Sequence, residues 1–180
     1  MNDTTHAGYL TPTGTPSPYD ATLEALLKQW IGGVSGLPAD AIFTRFTDQQ
    51  PATPGADASG CGFSITDFRQ NLDPVYIQHD ENTDYQWHFE TLVVQCCFYG
   101  PSGQFYAKQF KAGLSVAQNN AELSAAGLTL GETGDVTAVP ERINEQWQRR
   151  YDLFVTLRRR VEREYGIKSL LSAPINYFGE

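Results

Sequence analysis

RRYDLFVTLRRRVEREY, residues 149–165, alternates apolar and polar side chains over an unusual length and carries a cluster of arginines. Tyr151, Leu153, Val155, Leu157 and Val161 fall on one parity, and Arg150, Asp152, Phe154, Thr156, Arg158 and Arg160 on the other. A period of two belongs to a strand with one face on a core and the other turned to solvent or a neighbour. Strands usually run about 5–6 residues, so this one is over-long. In a small protein such a strand often projects past its own sheet, and a projection needs a partner.

Working outward, the pattern predicts an extended arm over residues 1–19, rich in Thr, Pro and Gly. Asp20 has the chemistry of an N-cap, and Leu23, Leu26, Leu27, Trp30 and Ile31 follow at helical spacing until Gly32-Gly33. Strands are predicted at 41–47, 61–68, 75–79 and 85–99, the last being the longest continuous β-prone run. Residues 48–60 (DQQPATPGADASG) read as a loop with little to bury, and 80–84 as a hairpin tip. After Gly100-Pro101, helices are predicted to about Val116 and over 119–126. A strand interrupted at Gly131–Gly134 precedes the long one, and the tail SLLSAPINYFGE (169–180) is apolar without helical period. A tail of that kind has to dock on its own core or on another subunit. The expected fold class is α+β: a twisted, mainly antiparallel sheet flanked by two to three helices on one face. The expected organisation is an arm over 1–19, a single domain over 20–169 and a docking tail over 170–180.

The formal charge of −8 is unevenly spread. Residues 1–141 carry 5 basic and 16 acidic side chains, a balance of −11, whereas residues 142–180 carry 8 and 5, a balance of +3. Such polarity suits head-to-tail association of identical subunits. A solvated acidic surface with one internally paired arginine strand explains it too, and is the reading that charge alone favours. The sequence has no apolar run of about 18 residues that would span a bilayer. Its opening, MNDTTHAGYL, lacks the basic and apolar regions of a signal peptide. Cys61, Cys96 and Cys97 have neither disulfide-framework nor zinc spacing, which points to a reducing cytoplasm as the place of synthesis.

Chemistry is sparse. His79, Asp80, Glu81, His88 and Glu90 are the only metal-like grouping, and they match no helical zinc motif. Ser64, Ser102, Ser169 and Ser172 sit in no nucleophile elbow. Gly100-Pro-Ser-Gly103 lacks the lysine of a phosphate loop. Six arginines lie within 149–163 and could in principle meet phosphates, but the chain as a whole is acidic and has no aromatic-plus-basic stacking motif. Pairing of Arg158, Arg159 and Arg160 with carboxylates of the same or a neighbouring subunit is the better reading. No catalytic residue, metal or cofactor is expected.

Five segments carry a resemblance: GLPADAIFTRF (36–46), CGFSITDF (61–68), QCCFYGPSGQFYAKQFKAGLSVAQNNAELSAAGLTL (95–130), VPERINEQWQRRYDLFVTLRRRVEREYGI (139–167) and LLSAPINY (170–177). In this order they resemble the neck terminator proteins of tailed bacteriophages, relatives of the tail terminators. The resemblance implies a virion structural protein and not an enzyme, assembled in the host cytoplasm. It implies a ring, a homohexamer, that caps the head-proximal end of the tail tube, ends tube polymerisation and joins the tail to the head connector while DNA passes through the lumen. Implied partners are further copies of the chain, the tail tube protein, the head-side connector and, as a further candidate, the tail sheath, with no membrane and no specific DNA binding. Within that role Arg149, Arg150, Arg158, Arg160, Asp80 and Glu81 are the expected assembly contacts. A head-side connector or stopper ring is the alternative, and a small metal-dependent enzyme on His79, His88 and Glu90 a remoter one.

Overall fold

The computed structural model describes residues 9–49, 51–55, 57–78, 83–143 and 145–166. The chain forms two compact units: a larger one of Ser17–Asn71 with Phe89–Arg160, and a smaller one of Met1–Pro16, Leu72–His88 and Val161–Glu180. The fold is α+β with an open, mostly antiparallel sheet, as the pattern predicted. Its central order is β1 (Ile42–Thr44), β2 (Gly60–Gln70), β4 (Thr83–Tyr99), β9 (Arg150–Gly166) and β5 (Leu128–Thr133). Two short strands flank that path, β3 (Val75–Gln78) on β4 and β6 (Thr137–Ala138) on β9. β7 (Glu141–Ile143) and β8 (Gln146–Gln148) form a separate antiparallel hairpin.

In the larger unit the helices α1 (Asp20–Ser35), α2 (Gly103–Leu114) and α3 (Ala121–Ala125) cover one face of the sheet. α1 turns Leu23, Leu27, Trp30, Ile31 and Val34 inward at helical spacing. They meet Phe63 of β2, Leu92, Val94, Cys96 and Phe98 of β4, and Leu153, Val155 and Leu157 of β9. Phe110 of α2 ties the layers together, edge-on to Trp30 at 5.2 Å and tilted on Phe98 at 5.7 Å. Each fully buried Leu, Ile or Phe contributes about 1.5–3 kcal/mol, so this layer is what holds the strands in register.

Several expectations need correction in detail. α1 does not stop at Gly32-Gly33. It continues to Ser35 and ends at Gly36, whose left-handed backbone (φ 77°) lets its N–H donate to the Gly32 carbonyl at 2.9 Å. Gly32 serves packing instead, since a Cβ there would stand 3.0 Å from Ile42 Cδ1. Tyr19, not Asp20, holds the N-cap position. β1 is only three residues long and runs parallel to β2, because the chain leaves the sheet after Thr44 and Phe46 takes a positive φ of 61°. β2 slips register between Ile65 and Asp67, a bulge that shifts its outward residues from even to odd numbers. The loop after β1 is pinned rather than loose. Gln148 Nε2 donates to the Pro54 carbonyl at 2.7 Å, and the Ser102 N–H donates to Ser59 Oγ at 3.0 Å.

β4 and β9 contribute to both units, and each is 17 residues long. In the smaller unit β3 pairs antiparallel with the first part of β4, Val75 opposite Trp87 through Gln78 opposite Asp84. The Thr13 N–H donates to the Glu164 carbonyl at 2.9 Å. Residues 1–8, the 79–82 connection and the expected docking tail lie outside the described residues.

Candidate assembly surface

β9 carries its arginines in three different settings. Alternation puts Leu153, Val155 and Leu157 on the helix-covered face, and Arg159 follows on that same parity. A charge so placed survives only if paired. Its Nε donates to Glu90 Oε2 at 2.8 Å, with the two side chains 1% and 7% exposed. Its Nη1 donates at 2.5 Å to the Pro18 carbonyl, and its guanidinium lies 4.3 Å from the centre of the Tyr19 ring. The Tyr19 hydroxyl donates to Glu90 Oε1 at 2.8 Å. Arg159 thus clamps residues 18–19, where the chain enters α1, onto the strands, leaving its buried Nη2 without a partner among the described residues.

The second setting is on the opposite face, under the β7–β8 hairpin. Arg150 donates from Nε and Nη2 to the two oxygens of Asp152 at 2.7 and 2.6 Å, and from Nη1 to Glu141 Oε2 at 3.1 Å. Gln95 Nε2 donates to Asp152 Oδ2 at 2.9 Å, and Arg45 Nη1 donates to Cys97 Sγ at 2.8 Å. The hydrogen bonds that Arg150 donates to Asp152 hold its guanidinium further above its ordinary range. Burial, with the Asp152 carboxylate adding, pushes the Cys97 thiol up to about 12, and burial pushes the neighbouring Tyr99 phenol up to about 12. These thiol and phenol groups are therefore protonated at neutral pH and offer no thiolate nucleophile. Phe43 stacks on Tyr99 at 6.3 Å and completes the cluster.

The third setting is exposed. Gln95 meets Asp152 and Glu90 meets Arg159, so β4 and β9 run antiparallel here and their outward side chains interleave. Arg158 and Arg160 share this face with Phe154, 45% exposed, and Phe89 of β4, 51% exposed. Thr129 of β5 stands opposite Arg158, and Asp67 and Arg69 of β2 pair with each other at 2.6 Å. A shallow groove runs along it between Phe89–Thr91 and Arg158–Arg160. Arg149 is also exposed, just before β9, with its carbonyl accepting the Gly100 N–H at 3.1 Å.

Of the expected contact residues, Arg158 and Arg160 are therefore brought together and Arg149 is exposed separately. Arg150 is committed within the chain, and Asp80 and Glu81 lie outside the described residues. Phe89 was not singled out, although alternation along β4 carries the signal for it. Among the described residues no group of three or more His, Cys, Asp or Glu could hold a metal. Glu90 is engaged by Arg159 and Tyr19.

The chain matches the family described as phage neck terminator protein over residues 21–180, and it belongs to that family. It is thus a structural component of the phage neck, built to meet other head and tail proteins. A search of curated proteins finds no match. No helix among the described residues is long and apolar enough to cross a membrane.

Proposed function

We propose that the protein forms a closed homohexameric ring on the head-proximal end of the tail tube. The ring ends tube polymerisation and presents a surface to the head-side connector, and genomic DNA passes through its lumen. Tail tube protein and connector are the direct partners, with the sheath a further one in a contractile tail. Family membership over residues 21–180 carries this reading.

The physical chemistry is consistent with it. Each phosphate contact adds a salt-dependent attraction, so a channel that must release DNA is best lined by an acidic protein, and this chain has a net charge of −8. Exposed arginines that do not line the lumen can then serve protein contacts. Arg149, Arg158 and Arg160 are the basic contact residues of the assembly, Asp80 and Glu81 are acidic ones, and Arg150 supports the fold beneath them. The arm over 1–19 and the tail over 170–180 are assembly segments flanking the 20–169 domain.

Imaging of particles lacking the protein tests the proposal. Filled heads with overlong or unattached tails are the expected outcome. Leaky heads with normal tails would assign the chain to a head-side stopper instead.

A further inference from the structure

We infer that the uncovered face of the sheet in the larger unit, centred on Phe89, Phe154, Arg158 and Arg160, is the seat for a second copy of this chain. This seat presupposes the ring proposed above and specifies which surface closes it.

One face of the sheet is filled by three helices, whereas no helix or strand among the described residues covers the middle of the other. That middle is not built for water alone. Two phenylalanines, 51% and 45% exposed, stand among Thr91, Thr156 and the arginines. Phe89 lines the groove with Arg158 and Arg160, and Phe154 lies further along the same face of β9; exposed aromatics and arginine are the residue types enriched at protein interfaces. On an ordinary solvated face, strand positions facing outward would be polar throughout.

Charge selects the occupant. Arg158 has no ion-pair partner among the described residues, and it shares its face with Arg160. The complementary charge is abundant on the chain itself, whose residues 1–141 balance to −11. Asp40, Asp48, Asp57, Glu122 and Glu132 are all exposed there. A basic-aromatic patch from one region meeting an acidic surface from another is a heterologous contact, the kind that closes a ring by rotation. Nucleic acid is the less suited occupant, because the surrounding surface would repel it.

The test places a photoactivatable benzoylphenylalanine at Phe154 in the full chain and irradiates the protein alone and mixed with tail tube and connector proteins. A covalent dimer is expected, with the cross-linked peptide mapping to the acidic 1–141 region of the second copy. Arg158→Glu with Arg160→Glu, folded by circular dichroism, is expected to weaken assembly by more than about tenfold, since apposed like charges cost several kcal/mol. Cross-links to the tube, to the connector or to residues 167–180 of the same chain would overturn the seat. Assembly into rings with no cross-linked dimer would also overturn it while leaving the ring intact. A strict monomer in every mixture would remove the ring and the seat together.

Discussion

Replacing Glu90 with alanine would strip the carboxylate from a pair in which Arg159 has 1% of its side chain exposed. The guanidinium would keep its bond to the Pro18 carbonyl and its place against the Tyr19 ring, but its charge would have no counterion. The Tyr19 hydroxyl would lose its acceptor as well. Removing one partner of a buried pair costs about 3–5 kcal/mol, because the survivor stays desolvated and uncompensated. A lost neutral hydrogen bond adds roughly 1 kcal/mol. For a protein of this size each kcal/mol lowers the melting temperature by about 2–4 °C, so the combined loss of about 4–6 kcal/mol should lower that of Glu90→Ala by roughly 8–24 °C. Urea unfolding followed by tryptophan fluorescence measures the loss directly, with an unchanged slope showing that the compactness of both states is retained. The paired variant Glu90→Leu with Arg159→Met removes both charges and should recover most of the loss, since apolar replacement of a buried ion pair is often neutral or stabilising. A single-variant loss below about 1 kcal/mol, or a double variant no better than the single, would refute the view of this pair as a desolvated clamp.

Three further outcomes follow from other parts of the molecule. Stability should be full below about pH 9, where the Cys97 thiol is protonated in both folded and unfolded chains, and should fall as pH rises toward 12. The unfolded chain releases the proton at 9.0 and the folded one only near 12, so the slope from this thiol is about 1.4 kcal/mol per pH unit between them. Cys97→Ser should make the fall shallower by this thiol's share in urea titrations at successive pH values, leaving the contribution of Tyr99, whose phenol is also held protonated up to about 12. Gly100→Ala should fail to give soluble folded protein. Gly100 has φ 88°, and a Cβ there would lie 2.0 Å from the Ala58 carbonyl oxygen, a backbone clash that side-chain motion cannot relieve. Asp135→Asn should leave the urea midpoint unchanged even though Lys111 lies 2.6 Å away and lowers the Asp135 pKa, because that carboxylate is 95% exposed and its ion pair is screened by water.

Much of this architecture was legible in the chain because periodicity is local. The spacing of Leu23, Leu27, Trp30 and Ile31 marks a helix, and the alternation through Tyr151–Leu157 marks a strand, whatever lies elsewhere. Boundaries were less legible. Gly32-Gly33 would terminate an isolated helix, yet here Ile42 occupies the space beside Gly32 and the packed stripe carries α1 on to Gly36. The bulge between Ile65 and Asp67 is likewise a matter of register against β4, not of composition.

The arginines divide the two kinds of information most clearly. The sequence alone determined that 149–165 is an amphipathic strand rich in arginine within an acidic chain, and it carried the resemblance to phage neck terminators. It also held an unread anomaly, because Arg159 stands on the apolar parity of β9 and Glu90 on the apolar parity of β4. Only the tertiary structure could make sense of that pair. The two residues are 69 positions apart, and a buried charge is tolerable only when pairing brings its counterion within hydrogen-bonding distance. The same antiparallel pairing turns Arg158 and Arg160 to the open face beside Phe89 and Phe154, and places Arg150 against Asp152 under the β7–β8 hairpin. Periodicity assigns each arginine to a side of its own strand, but which groups stand on that side depends on the neighbouring strand's register, and register is set by the packed core.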